Sequence, residues 1–113
     1  MIILPIPGCG DSYRPRSVPG GDASIGKRLI DQYQCGACHT IPGIPAAKGR
    51  VGPPLASFGK RSYIAGRHPN DAQALTRWLL DPPAMKPGTL MPDLGLSEDD
   101  ARHVAAYLYS KNE

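Results

Sequence analysis

The stretch Cys35-Gly36-Ala37-Cys38-His39 decides how the rest of the chain is read. Two thiols three positions apart, with an imidazole directly after the second, match the C-x-x-C-H attachment signature of a c-type haem. The spacing has a chemical reason. The two sulfurs can reach the two vinyl groups of one porphyrin and form thioethers, and the adjacent imidazole then falls under the ring, where it ligates iron. Competing chemistries fit less well. A thioredoxin-like redox pair sits behind a strand in a βαβ setting, whereas a helical pattern precedes Cys35. A closed zinc site with a second cysteine pair is excluded, because Cys9 is the one cysteine left.

The composition asks for such a group. Thirteen prolines and thirteen glycines make 23% of the 113 residues, close to the range where disorder is the default expectation. Aromatic residues (five Tyr, one Trp, one Phe) amount to 6%, so the chain lacks the rings that usually fill a small core. The longest uncharged apolar stretch, Met1 to Ile6, is far below the roughly 18 residues of a membrane-spanning helix. The net charge of +3 is too small to suggest nucleic acid as a partner. Its distribution is lopsided: residues 48–86 hold seven basic and two acidic residues, residues 93–113 two basic and five acidic. Such a surface can orient a charged partner.

Three helices are expected, at about 22–34, 70–81 and 97–110, with no convincing strand alternation. In the first, Asp22 is the N-cap and Ile25, Leu29 and Tyr33 recur on one face. Asn70 is the expected cap of the second, with Gln73 at the capping-box position and Leu75, Trp78 and Leu79 as its apolar stripe. Pro82 and Pro83 end it. Ser97 caps the third, Glu98, Asp99 and Asp100 fill its first turn, and Ala101, Val104, Ala105 and Leu108 face the core.

Two long Pro/Gly-rich loops, about 40–69 and 82–96, remain. Loops of that length in a small domain are functional or disordered, and proline lowers the entropy lost in ordering them. They read as stiff walls around one covalent haem. The second contains the candidates for an opposite iron ligand. Met91, at the end of a Pro-Gly-Thr turn, is preferred over Met85, which reads as a gap-filling side chain. Methionine opposite histidine gives a closed, electron-transferring haem, whereas an open position admits ligands. His68 and His103 are expected to be surface histidines.

With these motifs in place, the chain resembles the monohaem class I cytochromes c over about residues 22–110. The resemblance rests on Cys35 to His39, Gly52-Pro53-Pro54-Leu55, Leu75 to Pro82, Pro87-Gly88-Thr89-Leu90-Met91 and Ala106-Tyr107-Leu108, in the family's order. It implies an all-α, cytochrome c-like fold and one covalent haem c. It further implies thioethers at Cys35 and Cys38, His39 as proximal and Met91 as distal ligand, and the Pro53 carbonyl holding the other nitrogen of His39. Gly26 would allow the first helix to approach the last near Val104 and Tyr107. Trp78 matches an aromatic position beside the haem, and Thr89 and Arg61 are candidates for the haem propionates. The segment Arg61-Ser62-Tyr63-Ile64-Ala65-Gly66, followed by Pro69-Asn70, is similar to bacterial cytochromes c that accompany haem-copper oxidases.

The resemblance implies a one-electron carrier rather than an enzyme, working between redox proteins of a respiratory chain: a membrane quinol-oxidising complex or a terminal oxidase. The alternative is a haem-based ligand sensor or peroxidase-like catalyst with a labile methionine. Residues 1–21 are expected to be a leader or tether and 22–113 the cytochrome c domain. Cys9, in Leu4-Pro5-Ile6-Pro7-Gly8-Cys9-Gly10, resembles a degenerate lipoprotein cleavage site. Lipidation there would anchor the domain at the periplasmic side of the bacterial inner membrane; the other reading is an incidental free cysteine.

Overall fold

Asp22 starts the first helix by accepting from the backbone N–H groups of Ser24 and Ile25, and α1 runs Ala23–Gln32. The computed structural model describes residues 16–111; Cys9 and most of the expected tether lie outside them. Short 3₁₀ turns follow at Cys35–Ala37 and Phe58–Lys60. A minimal antiparallel hairpin then pairs β1, Tyr63–Ile64, with β2, His68–Pro69, opposing Tyr63 to Pro69 and Ile64 to His68. Helix α2 spans Ala72–Leu80, α3 is the four-residue Pro82–Met85, and α4 spans Glu98–Ser110.

The frame is α1 packed on α4, with α2 against α4's other side. Gly26 makes the first contact feasible, since a Cβ there would sit 2.0 Å from the carbonyl oxygen of His103 and 3.1 Å from the Tyr107 Cβ. The close approach therefore falls at His103 and Tyr107 rather than at Val104. The deepest residues of α1 are Gly26 and Ile30, while Ile25, Leu29 and Tyr33 are half-buried, so the buried stripe is rotated by one residue from the expected one. Tyr33 closes the contact by donating its hydroxyl to the Asp100 carboxylate at 2.8 Å. That carboxylate, as acceptor and as a negative charge, pushes the Tyr33 phenol above its ordinary value. On α4, Ala101, Val104, Ala105, Tyr107, Leu108 and Tyr109 are buried.

Three expectations are corrected. The cap of α2 is Asp71, whose carboxylate accepts from Ala74 N–H, and not Asn70 with a Gln73 capping box. Asn70 is drawn inward instead: its amide donates to the carbonyls of Phe58 and Arg61, and its oxygen accepts from the Tyr109 hydroxyl at 2.6 Å. The interval 82–96 is not all loop. Pro82 and Pro83 stop α2, and they also start α3, because proline suits a first helical turn and Asp81 caps it through Ala84 N–H. The hairpin is the third difference, two residues per strand being too short to show alternation.

Residues ahead of α1 also join the fold. Val18 is buried, and the Arg16 guanidinium donates to the carbonyls of Gly59 and Asn70 and lies over the Tyr109 ring. These contacts belong to the stretch expected to be a tether.

Candidate haem site

After α1, Gln34 adopts a left-handed conformation (φ 58°) and turns the chain into the Cys35–Ala37 3₁₀ turn. Residues i and i+3 eclipse in such a turn, so Cys35 and Cys38 share a side. The carbonyl of Cys35 accepts from the N–H groups of both Cys38 and His39. Cys35 and Cys38 form no disulfide. Burial, reinforced by the nearby Cys38, pushes the Cys35 thiol above its ordinary value. A helix, α1, and not a strand precedes the pair, which disfavours the thioredoxin-like reading.

His39 is buried, and its Nδ1 lies 2.8 Å from the carbonyl oxygen of Pro53. A carbonyl only accepts, so Nδ1 carries the proton and donates, which leaves the Nε2 lone pair to bind a metal. The ring lies close against Gly52, where a Cβ would meet Cε1 at 2.2 Å, Nδ1 at 2.7 Å and Nε2 at 2.9 Å. Any side chain at Gly52 would displace the imidazole. The chain reaches this point through cross-loop bonds: Gly49 N–H to Gly36, Gly52 N–H to Cys38 and Leu55 N–H to Thr40.

The Met91 side is built differently. Thr89 N–H donates to Lys86, closing a turn whose central residues are Pro87 and Gly88 (φ 85°). Proline followed by a positive-φ glycine is the signature of a type II turn. The Thr89 hydroxyl then accepts from Met91 N–H at 3.3 Å, so the Pro-Gly-Thr-x-Met spacing presents Met91 from a turn stiffened twice over. Met91 and Met85 are both half-buried against the core.

The remaining predicted positions divide. Trp78 is buried on α2 beside Leu75 and Leu79. Arg61 donates to the carbonyl of Pro54 and stacks over the Phe58 ring, which fastens the loop after Pro53 to the 3₁₀ turn Phe58–Lys60. His68 and His103, expected at the surface, are half-buried and bonded: His68 Nε2 to the Met85 carbonyl, His103 Nδ1 as acceptor of Asp22 N–H. The space requirement at Gly52 was not drawn from the sequence, although the Gly52-Pro53 pair was its signal.

The donor set is two thiols on one side of a turn, an imidazole with its coordinating nitrogen deprotonated, and a thioether on a rigid loop. Together with the glycine floor under His39, it fits a covalently attached haem. A family model described as "Cytochrome c" matches residues 23–111. The chain belongs to the cytochrome c family. Its cofactor is therefore a covalent haem c, and the family supports haem-based electron transfer.

As a cytochrome c, the chain is similar to two kinds of relative. It is 35% identical to cytochrome c oxidase subunit 2 of Alkalihalophilus pseudofirmus over 89 residues, covering 78% of this chain and 25% of that protein. With subunit 2 of Bacillus subtilis the identity is 33%, over 79% of this chain and 26% of the relative. The chain thus spans about a quarter of the length of these oxidase subunits. It is also 36% identical to cytochrome c of Tetrahymena pyriformis, over 83% of this chain and 93% of that one.

Proposed function

We propose that this domain carries single electrons to a terminal oxidase through a haem that Cys35 and Cys38 would attach and that His39 Nε2 and the Met91 thioether would ligate. The observation that carries the reading is the His39–Pro53 bond. It fixes the tautomer that coordinates metal, in a ring that Gly52 keeps seated. Bound here, the haem supplies a one-electron iron couple; the chain supplies ligands that need not move when the charge changes. Pro53 offers only its backbone carbonyl, and Trp78 walls the site. Thr89, which already holds the Met91 backbone, and Arg61 are the proposed donors to the propionates.

The partner surface we infer is acidic. Lys48, Arg50, Lys60, Arg67 and Arg77 are exposed across residues 48–86, with the exposed acids Asp71 and Asp81 among them, while Glu98 and Asp99 at the start of α4 are paired with Arg102. Val51, 68% exposed next to Gly52, and Leu90, 86% exposed next to Met91, add an apolar residue beside each ligand segment. Electrostatic steering of this kind weakens as salt screens it. Likeness to oxidase subunits favours a terminal oxidase as electron acceptor, supplied by a quinol-oxidising complex. Residues 1–21 are proposed as leader and tether, of which Arg16 and Val18 already pack on the fold, and 22–113 as the redox domain, held at the periplasmic side of the inner membrane through lipidated Cys9. Among the described residues no helix is long and apolar enough to cross a membrane.

A pyridine haemochrome spectrum with intact mass tests the site. One haem and two thioether bonds per chain are expected, and a haem lost on acid-acetone extraction would refute the attachment. A diacylglyceryl adduct at Cys9 in protein from native membranes is the result expected of the anchor; unmodified soluble protein would refute it. Oxidase turnover supported by the purified domain, falling with ionic strength, is the result expected of the partner assignment. Turnover that does not respond to the domain would refute it.

A further inference from the structure

The loop that presents Met91 is fastened to the small hairpin by two side chains that the haem reading leaves unused. His68, on β2, places Nε2 2.9 Å from the Met85 carbonyl oxygen, 17 residues away in sequence. Since a carbonyl only accepts, Nε2 carries a proton and donates. In the other direction, the Lys86 ammonium donates to the carbonyl of Ala65 at 3.3 Å. Ala65 sits at the tip of the hairpin with φ 53°, followed by Gly66 at φ 69°, and Arg67 N–H closes the turn on Ile64. A residue other than glycine pays strain in that region, and such strain persists where surrounding structure over-determines it. Here Ile64 is buried and anchors the hairpin. The remaining hydrogen bonds described for residues 86–95 are local, each spanning four residues or fewer.

We infer that His68 and Lys86 are positioning residues for the distal ligand: this clasp between hairpin and loop sets how readily Met91 leaves the iron. The inference rests on the reading of Met91 as that ligand. The loop has a closed state, with both clasp bonds made and the thioether seated, and a released state in which another ligand can reach the iron. An added ligand binds the released state, so its apparent affinity scales with the fraction released. One clasp bond removed raises that fraction by about fivefold, the worth of an ordinary net hydrogen bond.

The test is an imidazole titration of the ferric holoprotein, read by its visible absorption, for native protein, His68→Leu, His68→Gln and Lys86→Leu. Leucine removes the donor at either position, whereas the glutamine amide can still donate to Met85. Imidazole is expected to bind His68→Leu and Lys86→Leu about fivefold more tightly, and His68→Gln within about twofold of native. In a Met91→Ala background, adding His68→Leu is expected to change nothing, because the clasp acts through the methionine. Native-like affinity in both His68→Leu and Lys86→Leu would overturn the inference. So would equal tightening in His68→Gln and His68→Leu, which would assign the effect to ring packing. The reading beneath it fails separately: ferric Met91→Ala that keeps the native methionine-to-iron charge-transfer band would show that Met91 is not the ligand.

Discussion

The two segments that carry the proposed haem ligands are held by opposite means. From Gln34 to Leu55, backbone bonds cross the loop at Gly36–Gly49, Cys38–Gly52 and Thr40–Leu55, an isolated bridge pairs Thr40 with Lys48, and the His39 ring is bonded to Pro53. From Met85 to Leu96 the backbone bonds are short-range turns, and stiffness comes from Pro87, Pro92 and the Gly88 turn. A ladder resists opening because several bonds must break together. Separate turns can swing as a unit once their outer contacts go. The segment bearing His39 is therefore built to keep its side chain in place, and the segment bearing Met91 to hold its own conditionally.

The largest expected effect breaks the comparison altogether. Replacing Cys35 and Cys38 together by Ala should abolish covalent haem on a haem-stained denaturing gel. It should also leave a chain with little helix by far-UV circular dichroism, since the frame was sparing of aromatic residues from the start. Full helix content in that variant would contradict the composition argument.

Glycine substitutions separate frame from ligand. Gly26→Ala drives a methyl group into the His103 carbonyl and should cost about 3 kcal/mol in denaturant unfolding of the holoprotein, with the charge-transfer band of the folded fraction unchanged. Gly52→Ala drives the same group into the His39 ring. It should lower haem incorporation during maturation and shift the spectrum of whatever holoprotein forms. Equal spectral effects from the two would erase the distinction between them.

Met91→Ala probes the conditional side. The charge-transfer band should vanish while helix content and covalent haem persist, and unfolding stability should drop by about 2 kcal/mol for the lost half-buried side chain. Met85→Ala should keep the band, because the Pro-Gly-Thr turn presents Met91, whereas Met85 lies at the end of α3.

The smallest effect lies far from both segments. Hydrogen bonds from Ser24 and Ile25, with a lesser charge contribution from His103, hold the Asp22 carboxyl below its usual 3.8. A depressed carboxyl pKa contributes stability that is present above the unfolded value and is lost as pH falls through the folded one. Asp22→Asn, which keeps a capping oxygen, should therefore narrow the stability gap between neutral and acid solution below that value. Urea melts at two pH values measure it.

Much of this was legible in the chain. C-x-x-C-H, Gly-Pro before a carbonyl acceptor and Pro-Gly-Thr-x-Met are local devices, with turn chemistry and ligand in one short run, so sequence order displays them. Asp22 and Ser97 are isolated capping residues at clear boundaries. What sequence hid was decided by distant partners. Asn70 and Asp71 are adjacent and equally good caps, and the choice falls to Tyr109, 39 residues away, which claims the Asn70 oxygen. His68 looks like any loop histidine until the hairpin brings it to Met85. The Pro82–Pro83 pair reads as a stop signal, and its second use as a start depends on Asp81 ending one helix while capping the next.

Asn70 carries a consequence of a mechanical kind. Its carbonyl receives Arg16 from one end of the described fold, and its side chain receives Tyr109 from the other. A pull applied ahead of Arg16, as a tether would apply it, is first borne where entering and leaving chain are knotted to a single residue. The load passes into α4 and the Phe58 turn.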